Sequence, residues 1–565
     1  MKKILYLCAL LAAILVGCSK DVDMVPEIAM DDNTPKPDLK IIGGSNRGRK
    51  TILGEKLNNP YSLSNMSSSL TSLSSTRSEF AGASIKANAL YVRFLPQNME
   101  DVAYLENQRS LTLFDHPLDY ELEIIGDYYQ DPEIPDGQIT WLYTTVGVDF
   151  QFPGHIRYEI LEPMYIPNFI NEKGQLVSQP YDSDLECLAF QRCGYGDIVP
   201  AANPTPAGLF DAAVNPVGRI SIWDENKQQM VGLRYVRVTT RWGPNFSSTY
   251  TDRDGHYRIP RPYQCNPQYY LSFKNNRYKF NIYGNWGPIT PALHNMRYQT
   301  RYGYSVCLFS NSQAWDWGVV NNAASAYFEE CVSRNYAMSP QASLRIYCTE
   351  KASYGSAPML SEVGGIYNID LSKMFDWLDV KLKVNVNFLK NLLPDIIVGT
   401  ASNNYERIFT TTVHELSHAS HFRRVGPAYW QQYIQYILDC WISGLDIYGN
   451  RLTDYNGRCG VGEIWGYFSG RWFFQYYQYG SPNENYPSSE EMKYWFKPQI
   501  FWELAYYDIL TPRQLFNCLT ADVTTMELLL NKMMATYPDK AKTIEKIFRK
   551  HYSLSLIELP PIIID

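Results

Sequence analysis

The alternation of apolar and polar positions changes texture along the chain. Residues 19–80 are polar, and 62–78 are largely serine broken by a few leucines, which predicts a flexible Ser-rich tether over 19–80. Over 85–212, runs such as Ala89-Leu90-Tyr91-Val92-Arg93-Phe94 and 143–150 alternate with period two. Turn clusters such as 131–137 separate them, which predicts a β-rich domain. The acids near Asp127 and Asp131 read as solvated loop charges rather than a calcium site. Over 214–285 the alternating runs shorten to 218–224, 232–239 and 249–259, with Asp254-Gly255 as a turn, and predict a small antiparallel sandwich. Over 286–565 the period lengthens. Helices are predicted at 315–335, 525–535 and 540–551, and strands at 343–349, 364–370 and 395–399. The order predicts a multidomain chain: an N-terminal β-rich domain and a small β-sandwich, followed by an α+β domain of strands first and helices after.

The first eighteen residues stand apart from this pattern. Lys2 and Lys3 precede an apolar run from Ile4 to Val16, which ends in Leu15-Val16-Gly17-Cys18. The run is short for a membrane span, and its ending resembles a bacterial lipoprotein signal with its lipobox, residues 1–18, with Cys18 as the acylated residue. Ser19, Asp21 and Asp23 after it resemble lipoproteins of Bacteroidetes-type bacteria delivered to the outer membrane, with surface display as a further expectation. The expected localisation is therefore the cell envelope, with contact to the membrane through the N-terminal lipid.

The candidate chemistry sits in Thr411-Thr412-Val413-His414-Glu415-Leu416-Ser417-His418. On a helix, positions i and i+4 share a face one turn apart, so both imidazoles can reach one metal ion, with Glu415 beside them to take a proton from water. Ser402, Asn403 and Asn404 are N-cap candidates for this helix, Ile408, Val413 and Leu416 form its buried side, and Gly426-Pro427 stops it. A catalytic zinc site needs a third protein ligand. His421, two turns from His414, lies about 10 Å along the axis and reads as a neighbour of the ligands. Glu463, in the apolar aromatic segment 460–468, is a candidate third ligand because a lone buried carboxylate is costly unless paired or metal-bound. It leads Glu503, which has a similar setting, because glutamate zincins, which this motif resembles, usually take their third ligand from the next major helix. Tyr467, one turn on, can orient that carboxylate or meet substrate, and Glu503 is the reserve ligand.

His414-Glu415-x-x-His418 followed by Glu463 resembles the gluzincin arrangement of zinc metallopeptidases. That resemblance implies a zincin-like domain over 286–565, one Zn²⁺ held by His414, His418 and Glu463, Glu415 as the catalytic base, and a peptide or protein as substrate. Separately, Thr251-Asp252-x-x-Gly255-x-Tyr257 is similar to the signature of carboxypeptidase regulatory-like, transthyretin-type domains. This implies a scaffold over 214–285 and locates no active site; His256 reads as a turn residue.

Charge and cysteine content narrow the picture further. A net charge of −7 and no basic patch interleaved with aromatics argue against a nucleic-acid partner. Of eleven cysteines, Cys8 and Cys18 belong to the leader, and Cys187 with Cys193 and Cys440 with Cys459 are possible disulfides. A non-catalytic surface lipoprotein for adhesion or glycan binding, compatible with 14% aromatic residues, is the alternative to the hydrolase, as is an accessory subunit of an outer-membrane complex.

Overall fold

The computed structural model describes residues 50–552, without 109–110, 127, 136–137, 172–173, 205–207, 285–289, 311, 364–375, 377–392, 446–447 and 450–455. The expected leader with Cys18, Asp127 and the strand expected at 364–370 lie outside the described residues. Among those described, an N-terminal β-rich region leads through a sandwich into a C-terminal helical region. No helix among them is long and apolar enough to cross a membrane.

The tether expectation fails from residue 50 onward. Strand β1 (Ile52–Lys56) pairs antiparallel with β3 (Tyr120–Ile124), and the serine run is helix α1 (Leu63–Thr76). Met66, Leu70 and Leu73 recur at helical spacing and are fully or almost fully buried, so the leucines scattered among serines form an apolar stripe. The serines satisfy themselves on the backbone: Ser62 Oγ caps the helix by accepting from Asn65 N at 3.3 Å, and Ser69 Oγ donates to Asn65 O at 2.8 Å. The helix packs into the β-rich region beside α3 (Asp182–Arg192), which follows α2 (Met99–Asn107) along the chain.

The rest of that region is a three-stranded sheet in the order β4-β2-β5, where β2 is Ala89–Leu95, β4 Leu142–Gly147 and β5 Arg157–Met164, plus the short pair β6 (Phe169–Ile170) and β7 (Leu176–Val177). Asp131 is not a solvated loop charge: it is buried, and its carboxylate accepts from Glu133 N at 2.9 Å and Tyr143 O–H at 3.2 Å. It closes its own turn onto β4. Cys187 and Cys193 cannot form the bridge read from sequence. Six positions along α3 separate them by about 9 Å, beyond the roughly 7 Å a disulfide spans.

The sandwich is present but closes later than 285. One sheet runs β11-β10-β13-β16 and the other β12-β8-β17, with β9 (Gln229–Gly232) also on β8 (Val217–Asp224). Strands β10 (Arg237–Trp242), β11 (Asn245–Tyr250), β12 (His256–Arg258) and β13 (Gln268–Ser272) fall inside the expected limits, but β16 (Leu293–Tyr298) and β17 (Val306–Leu308) fall outside them. Between them the chain makes β14 (Lys274–Asn275) and β15 (Phe280–Tyr283), which belong to the next region. A boundary at 285 fails because the two sheets are interleaved in sequence. The turn signature is physically legible. Asp252 Oδ1 accepts from Asp254 N and His256 N, both at 2.9 Å, and Gly255 has φ +86° where a Cβ would stand 2.1 Å from Ile220 O. Tyr257 is buried and its O–H donates to Tyr304 O at 2.8 Å, while His256 is exposed and, rather than lying in the turn, opens β12 opposite Arg219.

In the C-terminal region, β15 lies parallel to β18 (Arg345–Thr349), and β18 parallel to β19 (Ile396–Gly399). Helix α4 (Gln313–Ser333) packs beneath, α5 (Leu360–Val363) is a single turn, and α6 (Tyr405–Val425) follows β19 directly. Then come α7 (Pro427–Ile442), α8 (Asn456–Tyr479), α9 (Gln499–Tyr506), α10 (Pro512–Asn517), α11 (Met526–Thr536) and α12 (Ala541–His551). The end of β8 holds this region where α4 begins and α8 ends. Trp315 Nε1 of α4 donates to Trp223 O at 2.8 Å, and Gln478 Nε2 of α8 donates to the buried Asp224 carboxylate at 3.2 Å.

Candidate metal centre

Helix α6 is set by its ends and one face. Asn404 caps it, its side chain accepting from Arg407 N at 2.9 Å; Gly426 at φ +83° ends it; and Pro427 opens α7. Ile408, Val413 and Leu416 are fully buried, as the apolar spacing predicts. The face with Thr410, His414 and His418 turns toward α8, which explains why that helix carries glycine at 466 and 470, while Gly462 makes room for Tyr433 of α7. A Cβ on Gly466 would stand 2.9 Å from both Cε1 and Nε2 of His414, one on Gly470 2.8 Å from Thr410 O, and one on Gly462 3.1 Å from the Tyr433 ring. Gly466 and Gly470 let α8 approach until its glutamate reaches the histidines.

The resulting cluster is tight. His414 Nε2 and His418 Nε2 are 3.0 Å apart, Glu463 Oε2 is 3.4 Å from the first and Glu463 Oε1 3.7 Å from the second. Two imidazole nitrogens and a carboxylate thus converge on one point. Four donors at about 2.0–2.1 Å around a tetrahedral ion are separated by about 3.3 Å, so these spacings suit a small divalent cation. His414, Glu415 and His418 also offer donor atoms within 4.8 Å of one another and can hold a metal ion. Of the two carboxylates, Glu463 lies against both Nε2 atoms. Its Oε2 is buried with no hydrogen-bond donor among the described residues. The side chains of His418 and Glu463 are 4% and 5% exposed and that of His414 13%, so the cluster reaches solvent through His414.

Electrostatics divides the two carboxylates. Burial pushes Glu463 upward, but the His418 and His414 rings outweigh it and hold the group well below the usual carboxylate range. At Glu415 burial outweighs the lowering effect of the His414 ring and pushes the carboxyl up to about 8. Burial holds His418 below its ordinary value; the Glu463 carboxylate overcomes burial at His414 and raises it. A cation in the cluster favours the ionised form of Glu415. Glu415 faces the loop after β18: a Cβ on Gly355 would stand 2.7 Å from its Oε1 and 2.7 Å from Ile397 O. Next in the chain, Ser356 pairs with Ile397 across the edge of β19, exchanging bonds of 2.9 and 2.7 Å.

No protein-family model and no curated protein matches this chain. The site therefore stands on its own geometry.

Of the residues expected from sequence, His414, Glu415, His418 and Glu463 are brought together, Tyr467 and His421 pack beside them, and Glu503 does not join them. Tyr467 does not hold Glu463. It lies edge-on to the His414 ring at 4.6 Å and bonds the Tyr448 hydroxyl at 2.8 Å, because one turn along α8 points it past the carboxylate to the aromatic wall of Tyr494 and Phe496. The tyrosine that does bind the carboxylate is Tyr433 of α7, whose O–H donates to Glu463 Oε1. Glu503 is no reserve ligand: Lys550 Nζ and His551 Nε2 of α12 occupy its Oε1 at 2.7 and 2.8 Å. His421 is fully buried edge-on to Tyr429 and Trp430, where burial pushes it down to about 3, so it stays neutral packing beside the ligands. The glycine spacing in α8 was the available signal for the helix contact; nothing local marks Tyr433.

Proposed function

We propose that the chain is a zinc-dependent metallopeptidase of the cell envelope, with His414, His418 and Glu463 as metal ligands, Glu415 as general base, and Cys18 as the lipid anchor. The observation that carries this reading is the convergence of both Nε2 atoms and the Glu463 carboxylate across gaps of 3.0 to 3.7 Å. Two imidazoles and a carboxylate also suit other divalent ions, and availability outside the cytoplasm favours zinc. Zn²⁺ bound there would polarise a scissile carbonyl and lower the pKa of water toward about 7.

The chain's own residues have separable tasks. Tyr433 fixes the rotamer of Glu463 by donating to it, and the carboxylate stays ionised because the imidazoles hold it low. Glu415, one residue from His414 and turned toward Gly355, takes a proton from water and passes it to the leaving amine. The Gly-Ser-Ala segment at 355–357, bonded along β19, forms the wall beside that base.

The test is digestion of a reduced, carboxymethylated polypeptide by the full chain. We expect cleavage that a chelator abolishes and Zn²⁺ restores, and a loss of about a thousandfold in Glu415→Gln with metal still bound. Zinc-loaded protein that leaves the polypeptide intact, or Glu415→Gln with wild-type rate, overturns the peptidase reading.

A further inference from the structure

Two cysteines far apart in sequence meet in the core between the β-rich region and the sandwich. Cys187 sits on the buried side of α3 at 0% exposure, and Cys265 lies just before β13 at 4%. Both belong to one apolar cluster with Tyr61, Phe190 and Trp242. The segments carrying them are clamped on either side of the pair. Before Cys265, Arg261 Nη2 donates to Glu186 Oε1, the residue preceding Cys187, at 2.9 Å; after it, Asn266 N donates to Ile198 O at 3.4 Å. Both are free thiols in this structure, and the Cys187 side chain stands within hydrogen-bonding reach of Cys265; that contact followed by burial pushes the Cys265 thiol well above its usual range. A catalytic or sensing thiol needs the opposite, a stabilised thiolate open to solvent. This pair has the surroundings of a structural crosslink.

We infer that Cys187 and Cys265 form a disulfide that staples α3 of the β-rich region to the sandwich. The chemistry is thiol–disulfide exchange with a small-molecule disulfide as oxidant. One cysteine sulfur attacks the oxidant, forming a mixed disulfide and releasing one thiol. The second cysteine attacks the protein sulfur of that mixed bond, closing the bridge and releasing a second thiol. Two protein thiols and one oxidant disulfide thus become one protein disulfide and two small thiols, each S–H proton passing to a released thiolate. Because both sulfurs are buried in the folded chain, closure belongs to folding, before α3 packs. The bridge then restrains a long loop of the unfolded chain.

The inference is independent of the peptidase reading and is tested without activity. The full-length chain is folded in oxidised and reduced glutathione, denatured, alkylated and mapped by mass spectrometry. The expected result is a peptide pair linked through Cys187 and Cys265, separated by dithiothreitol, and an unfolding temperature a few degrees above that of the reduced chain. In Cys265→Ser, Cys187 should be alkylated without prior reduction. Mapping of the wild type alone is decisive if that variant does not fold. Alkylation of both residues in the glutathione-oxidised chain, or linkage of either to another cysteine, overturns the assignment.

Discussion

The turn at 251–257 and the cluster around His414 are both anchored by short sequence motifs, yet they are built in different ways. In the turn, Asp252 bonds to amides two and four residues on, and Gly255 supplies the one backbone conformation required. Almost everything the motif needs lies inside it. In the metal cluster, His414 and His418 supply two of the three candidate ligands, and the third arrives from α8 through a helix contact that depends on glycines and on Tyr433 of a third helix. Local chemistry closes the first; packing closes the second. Substitutions at a distance should therefore damage the cluster far more than the turn.

Two glycines allow the sharpest contrast. Gly466→Val places side-chain atoms where the His414 ring stands, so the folded variant should lose stoichiometric metal binding, read by elemental analysis after gel filtration. Gly255→Val strains a positive φ and drives a Cβ into Ile220 O, which should cost about 4 kcal/mol of stability in denaturant unfolding while metal content per folded chain is unchanged. Metal loss in the second variant without unfolding would erase the distinction.

A pH experiment separates the regions by a buried acid. Asp395, at the entrance to β19, is pushed up to about 6 by burial, against bonds from Ser361 and Arg345. A carboxyl with a raised folded-state pKa binds more protons folded than unfolded. Its contribution is therefore fully present below about pH 4 and is lost as pH rises toward 6. Asp395→Asn should remove a fall of about 2 kcal/mol in unfolding free energy between pH 4 and 6. An unchanged pH profile would show that this acid is not buried as described. Smaller again, Tyr433→Phe should weaken metal affinity by about 10- to 100-fold without unfolding the chain. Glu503→Ala should leave metal affinity unchanged, since that carboxylate is held by α12.

What could be read from sequence follows the same division. The strand at Ile396–Gly399, the Asn404 cap, the Gly426-Pro427 stop and the helices at 313–333, 526–536 and 541–551 depend on neighbours within a few residues, and they were legible. The cost of a lone buried charge marked Glu463 and Glu503 alike, and only the motif's resemblance put Glu463 first. The serine helix was missed because composition outweighed the period of Met66, Leu70 and Leu73. The sandwich limit was missed because β14 and β15 interrupt it on the way to β16. Tyr433 was invisible because its partner lies thirty residues away on another helix.

The central claim is that Glu463 completes a three-residue metal site with His414 and His418. Its most direct test is bound metal per chain in the purified wild type and in Glu463→Ala, with circular dichroism to check that both are folded. The account predicts about one ion per wild-type chain and loss of stoichiometric binding in the folded variant. A folded Glu463→Ala chain that keeps one ion at wild-type affinity would contradict it.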